Sequence, residues 1–215
     1  MKATAVLPVK RFATAKRRLA GGIDEERREA LVAAMLEDVL EAIGAARSIE
    51  RTILVSGDPI AQEIGAASAA TLDVVPDPAD EGHVVAALAG IARAEVDGAS
   101  CVALLPGDCP LLAPRELDRL LTGVPSRYVA VVPDRHGTGT NALVLSPPSA
   151  IEPAFGEGSC ARHVAAAREA DIPFAVEELP SLGLDLDTPA DVVALTRELE
   201  NRPGRARRTA KALGL

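Results

Sequence analysis

Short apolar runs alternate with longer segments of helical period along the first half of the chain, and few folds accept that alternation. Residues 4–8, 51–56, 72–75 and 100–105 read as strands, the last of them wholly apolar. Between them lie three helical segments: 24–46, with Leu31, Met35, Val39 and Ile43 spaced by four on one stripe, then 60–69 and 82–94. Residues 113–121 open with Pro114 and carry acids in the first turn, a helix start that the macrodipole favours. Strands that are apolar on both faces need cover on both faces. With helices as the connections, that means a parallel sheet with right-handed crossovers. After residue 121 the pattern changes. Residues 128–133 and 141–146 are strands joined by a Gly-rich loop, which predicts a small antiparallel excursion. A helix over 159–170, a strand over 174–178 and a last helix over 188–200 follow. The expectation is one α/β domain over residues 1–201, its mostly parallel central sheet flanked by helices. A basic C-terminal tail, 202–215, is expected to fray.

Composition removes several classes of function. A chain of 215 residues can bury a sizeable core, but it holds one Tyr, three Phe and no Trp, too few flat side chains for a base-stacking platform. The formal charge of −8 also argues against a nucleic-acid partner. Cys101, Cys109 and Cys160 are too scattered for a disulfide framework or a zinc knuckle. No apolar run is long enough for a membrane span, so a soluble, cytoplasmic protein is expected. The charge is nevertheless uneven: residues 1–23 carry Lys2, Lys10, Arg11, Lys16, Arg17 and Arg18 and no acid.

The chemistry starts in 103-ALLPGDCPLLAP-114, where Asp108 follows the most apolar strand. A lone Asp after Gly is more often a turn residue. In an open α/β sheet, however, ligands bind beyond the carboxyl ends of the strands. A second acidic stretch, 183-GLDLDTPAD-191, alternates Asp185 and Asp187 about Leu186, which projects both to one side. Asp187 or Thr188 can equally cap the last helix, with Pro189 at its first position. Carboxylates gathered from separate strand ends suit Mg²⁺, which keeps places for water and phosphate. The loop in 7-LPVKRFATAKRRL-19 supplies cations, and cations facing acids across strand ends describe a Mg²⁺–polyphosphate site. Arg11 and Arg17 read as solvated. The run 137-GTGTNA-142 leads into a strand rather than a helix, which rejects a dinucleotide site. His83, His136 and His163 show no metal spacing, and no general base stands out. An acceptor that is already an anionic phosphate needs none.

Taken in order, 8-PVKRFATAKRRL-19, 107-GDCPLL-112, 137-GTGTNAL-143, 155-FGEGS-159 and 185-DLDTPAD-191 resemble the guanylyltransferases of deazaflavin coenzyme F-420 biosynthesis. These are the 2-phospho-L-lactate or phosphoenolpyruvate guanylyltransferases of the CofC/FbiD type, and the resemblance runs from about Lys2 to Leu199. It implies a single-domain, Rossmann-like nucleotidyltransferase fold of the glycosyltransferase-A kind. It also implies transfer of GMP from GTP to a phosphorylated three-carbon acid, with release of pyrophosphate. Matched by position, Asp108, Asp185 and Asp187 would hold Mg²⁺, and Asp108 and Lys16 would be catalytic. Thr140, Asn141, Gly156, Gly158 and Ser159 would bind the acceptor, with free N–H groups at Gly158 and Ser159 suited to an anion. Lys10, Lys16, Arg18 and Gly82 would meet the nucleotide. Where the family reads G-L-N, this chain has Gly82-His83-Val84, and Val84 cannot hydrogen-bond as that Asn would. The acceptor stays open between phosphoenolpyruvate, which is favoured, 2-phospholactate and 3-phosphoglycerate. Rival readings are a molybdopterin guanylyltransferase, a cytidylyltransferase, or a non-catalytic module on the same fold; a homo-oligomer is compatible with all of them.

Overall fold

The computed structural model describes residues 2–16, 19, 24–68, 71–77, 79–202 and 204–215. Its strands are β1 (Ala3–Val9), β2 (Ile49–Ser56), β3 (Leu72–Pro76), β4 (Val102–Leu104), β5 (Tyr128–Pro133), β6 (Thr140–Ser146) and β7 (Phe174–Val176). Its helices are α1 (Glu25–Ala45), α2 (Pro59–Ala67), α3 (His83–Val96), α4 (Pro114–Leu121), α5 (Ser159–Glu169), α6 (Pro189–Asn201) and α7 (Arg207–Ala212). The strands form one sheet in the order β3-β2-β1-β4-β6-β5-β7. All pairings are parallel except those of β6, which runs antiparallel to β4 and β5. The α/β class, the mostly parallel sheet and the antiparallel excursion expected from the sequence are all present.

The period of two along each strand sorts its side chains between two cores. Ala5 and Leu7 of β1, Ala103 beside β4's Leu104, Ala130 and Val132 of β5, and Ala142 and Val144 of β6 face the side covered by α1, α2, α4, α6 and α7. Val6, Val102, Leu104, Val129, Val131, Leu143 and Leu145 face the side covered by α3 and α5. The α1 stripe of Leu31, Met35, Val39 and Ile43 is 0–1% exposed. On the other face α3 packs against β1 so closely that a Cβ at Gly90 would lie 2.3 Å from Val6 Cγ1. Glycine at that point lets α3 approach and carries its first residue, His83, to the upper edge of the sheet.

The tail departs from expectation. Instead of fraying, residues 207–212 form α7 against α1. The buried Asp38 of α1 accepts hydrogen bonds from Thr209 N (2.8 Å) and Thr209 Oγ1 (2.7 Å). Arg208 pairs with Glu37 at 3.1 Å and with Glu41. The basic tail folds because α1 presents three acids to it, and Thr209 is fully buried in the process.

From β1 the chain goes to β2 and β3 on one side, and it later returns to β4 on the other. The reversal opens a crevice beyond the carboxyl ends of β1 and β4, where ligands bind in such sheets.

Candidate functional site

Asp108 stands at that crevice. β4 ends at Leu104, Leu105 N still reaches Val6 O at 2.9 Å, and Pro106 and Gly107 then turn the chain away from the sheet. The loop after β1 meets it there. Phe12 is 1% exposed and its N–H donates to Asp58 Oδ2 at 2.8 Å, while Asp58 Oδ1 caps α2. Burying one Phe contributes about 1.5–3 kcal/mol, enough to pin the loop. From this anchor Lys16, in a left-handed conformation with φ 55°, turns its ammonium inward. Nζ donates to Asp108 and, at 2.6 Å, to Asp187 Oδ1. The Lys16 side chain is only 10% exposed, against 26% for Asp108 and 50% for Asp187. Burial disfavours this ammonium, but the charges of Asp108 and Asp187 outweigh it and push its pKa above the usual lysine range. Burial also works against the Asp108 carboxylate, and Lys16 more than compensates, holding it below the usual range.

Asp185 is the third acid, two residues before Asp187 on the same segment. Burial, and then the charge of Asp108, pushes its carboxyl above the ordinary aspartate value. Asn141 offers it Nδ2 at 3.4 Å, having given its stronger bond to Leu182 O at 2.6 Å. Among the described residues, the one ammonium paired with these acids is that of Lys16, and it reaches Asp108 and Asp187 but not Asp185. Asp187 does not cap α6: Thr188 and Asp191 form a capping box there. Asp191 Oδ2 also accepts from Asp187 N at 3.0 Å, and Arg135 pairs with Asp191 from the β5–β6 loop. Asp187 is therefore held by its backbone and keeps its side chain for Lys16. Among the described residues, no group of three or more metal-ligating side chains stands ready for an ion. Two do converge, since Asp108 and Asp187 both reach the point that the Lys16 ammonium occupies.

A cleft of about 290 Å³ lies against these groups, walled by Val9, Lys10, Lys16, His83, Gly107, Asp108 and Asp187 among others. Lys10 is exposed at its rim. Gly82 precedes α3 with φ 115°, a conformation that favours glycine, and a Cβ there would meet nothing within 4 Å. Its contribution is the turn into His83. Arg18 lies outside the described residues.

A narrower pocket, about 30 Å³, shares Pro8, His83 and Pro106 with that cleft and adds Thr140, Asn141 and Phe155. Its polar wall is more ordered than the sequence suggested. Ala154 N donates to His163 Nε2 at 2.8 Å, and His163 Nδ1 lies 3.0 Å from Thr140 Oγ1. Burial, then the charge of Arg162, lowers the His163 pKa to about 4, so the ring is neutral at pH 7. With Nε2 accepting, Nδ1 carries the proton and donates to Thr140. Ser159 Oγ donates to the same Thr140 oxygen at 3.1 Å. Thr140 accepts twice, so its own proton is free to point at a ligand. Ser159 is 1% exposed and works through Thr140; its N–H is spent on Gly156 O at 3.0 Å. The expectation of a free N–H holds for Gly158, which has no acceptor among the described residues, and fails for Ser159, because the 156–159 turn closes on itself. Arg162 clamps this turn, donating to the carbonyls of Ala154, Phe155 and Glu157. The structural roles of His163 and Arg162 went unread in the sequence, where neither falls in a motif. A larger hollow of about 720 Å³, between α1, the start of α4 and residues 204–207, contains none of these residues.

A switch-point crevice with a lysine held between acids from two loops is an arrangement that nucleotidyl transfer can use. The fold agrees: a Methanothermobacter nucleotidyl transferase superposes with a TM-score of 0.68 at 17% identity, covering 93% of this chain and 98% of that one. CMP:2-keto-3-deoxy-manno-octonic acid synthetase, complexed with CTP, gives 0.62 at 14%, over 94% and 99%. Residues 3–203 match the family described as "Guanylyl transferase CofC like". The phosphoenolpyruvate guanylyltransferase of Conexibacter woesei is 45% identical over 214 residues, 97% of this chain and 94% of that protein. That of Sphaerobacter thermophilus is 41% identical over 196 residues, 91% and 93% of the two chains. The chain belongs to the CofC-like guanylyltransferase family.

Proposed function

We propose that the protein transfers GMP from GTP to phosphoenolpyruvate, as a step of deazaflavin coenzyme F-420 biosynthesis. The observation that carries this reading is the Lys16 ammonium, held between Asp108 and Asp187 on the wall of the cleft. A phosphate oxygen of the acceptor attacks the α-phosphorus of GTP. The bond from that phosphorus to the β-phosphate oxygen breaks, and pyrophosphate leaves with the electron pair. The acceptor is already an anion, so no side chain has to remove a proton. Lys10 and Lys16 line the cleft on the triphosphate side, and a cation there offsets charge on the leaving pyrophosphate. Thr140, its hydroxyl proton directed by His163 and Ser159, donates to the acceptor. Asp108, Asp187 and Asp185 would hold Mg²⁺, whose chemistry when bound is to neutralise phosphate charge and align the two phosphates. The donor set fits: all three are oxygens, two already converge on one cation, and the third faces uncompensated charge.

The test is pyrophosphate release from GTP and Mg²⁺ with phosphoenolpyruvate, 2-phospholactate or 3-phosphoglycerate, with product masses read out. Release with phosphoenolpyruvate supports the reading. No release with any of the three sinks it, and release only with another of them changes the acceptor.

A further inference from the structure

His83, where the family motif reads Leu, stands between the two pockets. It is the first residue of α3, and it lines both the cleft with Lys10, Lys16 and Asp108 and the pocket with Thr140, Asn141 and Phe155. The ring meets Phe155 edge-on, with centroids 4.8 Å apart, and Phe155 meets His163 in the same manner at 5.4 Å. The imidazole is thus oriented by packing alone: neither ring nitrogen has a hydrogen-bond partner among the described residues. The ring is half-buried, so its nitrogens stay open to a group in either pocket. Burial, assisted by Lys10 and Lys16 and opposed by Asp108, holds its pKa below the usual histidine value, so it presents one N–H at neutral pH and adds no charge. A neutral donor between two lysines and an acid suits an oxygen that carries partial negative charge and must not be held too tightly.

We propose that His83 is a further substrate-binding group, donating its N–H to the phosphoryl group in transfer where the two pockets join. This rests on the guanylyl-transfer reading and extends it. The cleft side holds the triphosphate, the pocket side holds the acceptor, and the bond forms between them, beside this ring. No proton moves; the N–H interacts with an equatorial oxygen whose charge grows in the transition state.

Two variants separate donation from packing. His83→Phe keeps an aromatic ring against Phe155 and removes the N–H, whereas His83→Gln keeps an N–H donor and loses the ring. With both substrates saturating, His83→Phe should lower kcat about 10- to 100-fold, the loss expected for one hydrogen bond to a charged oxygen. Its affinity for GTP, measured by calorimetry without acceptor, should stay within about twofold, and His83→Gln should recover part of the lost kcat. Wild-type kcat in His83→Phe overturns the proposal, and so does a loss confined to GTP affinity. Equal impairment of both variants makes the ring a packing element and also overturns it. Wild-type enzyme that releases no pyrophosphate removes the guanylyl-transfer reading, and this proposal falls with it. An active wild type with an equally active His83→Phe removes this proposal alone.

Discussion

Replacing Asp185 by Asn should stabilise the free protein while abolishing turnover. Among the described residues Asp185 makes no ion pair, because Lys16 is committed to Asp108 and Asp187, and its side-chain donor is Asn141 Nδ2 at 3.4 Å. Burial, and then the charge of Asp108, raises its pKa in the folded state. The sign follows from proton counts. Between the unfolded value, about 3.9, and the raised folded one, the folded state binds more protons, so stability falls as pH rises through that window. The deficit persists at pH 7. Asn has the same shape without the charge, and relieving the repulsion between two partly screened carboxylates is worth about 1 kcal/mol. For a chain of this size that corresponds to a gain of roughly 2–4 °C in Tm. Calorimetry in EDTA from pH 4 to pH 8 should show the Asp185→Asn advantage growing from acid to neutral pH and then levelling. Under the proposed metal role of Asp108, Asp185 and Asp187, the same variant should lose most pyrophosphate release. An Asp185→Asn protein that melts below wild type in EDTA at pH 7 would refute the account of uncompensated charge.

Lys16→Met should act in the opposite sense, removing the ammonium that pairs with Asp108 and Asp187. It should cost about 2 kcal/mol, less than a fully buried pair would because Asp187 is half exposed, and reduce turnover at least a hundredfold; melting curves and pyrophosphate release check both. Asp38→Ala removes the acceptor for Thr209 N and Oγ1, so α7 should detach, with a loss of about 3 kcal/mol, proteolysis near Arg205 and little change in kcat. Ser159→Ala should weaken acceptor binding severalfold through Thr140 and lower stability by about 1 kcal/mol, with GTP affinity unchanged by calorimetry. Equal loss of both substrates would place Ser159 elsewhere in the site.

Much of this protein was determined locally by its sequence. The alternation of apolar runs with helical stripes specifies a parallel sheet, because strands buried on two faces have no other arrangement. Asp108 could be placed at a ligand crevice because Pro106 and Gly107 end an apolar strand, and the Asp185–Asp187 alternation predicted a shared face. The motif order carried the family. What no neighbour along the chain could decide is which groups meet. Lys16 pairs with Asp108 and Asp187, 92 and 171 residues away, and the loop that aims it is pinned by Phe12 and Asp58. The cap of α6 fell to Thr188 and Asp191 rather than Asp187, and the Ser159 hydroxyl donates to Thr140 across 19 residues of chain. A tail that reads as frayed found three acids on α1 and folded. Charge pairing and hydrogen-bond direction depend on distances of a few ångströms, and only the packed sheet sets those between segments so far apart in the chain.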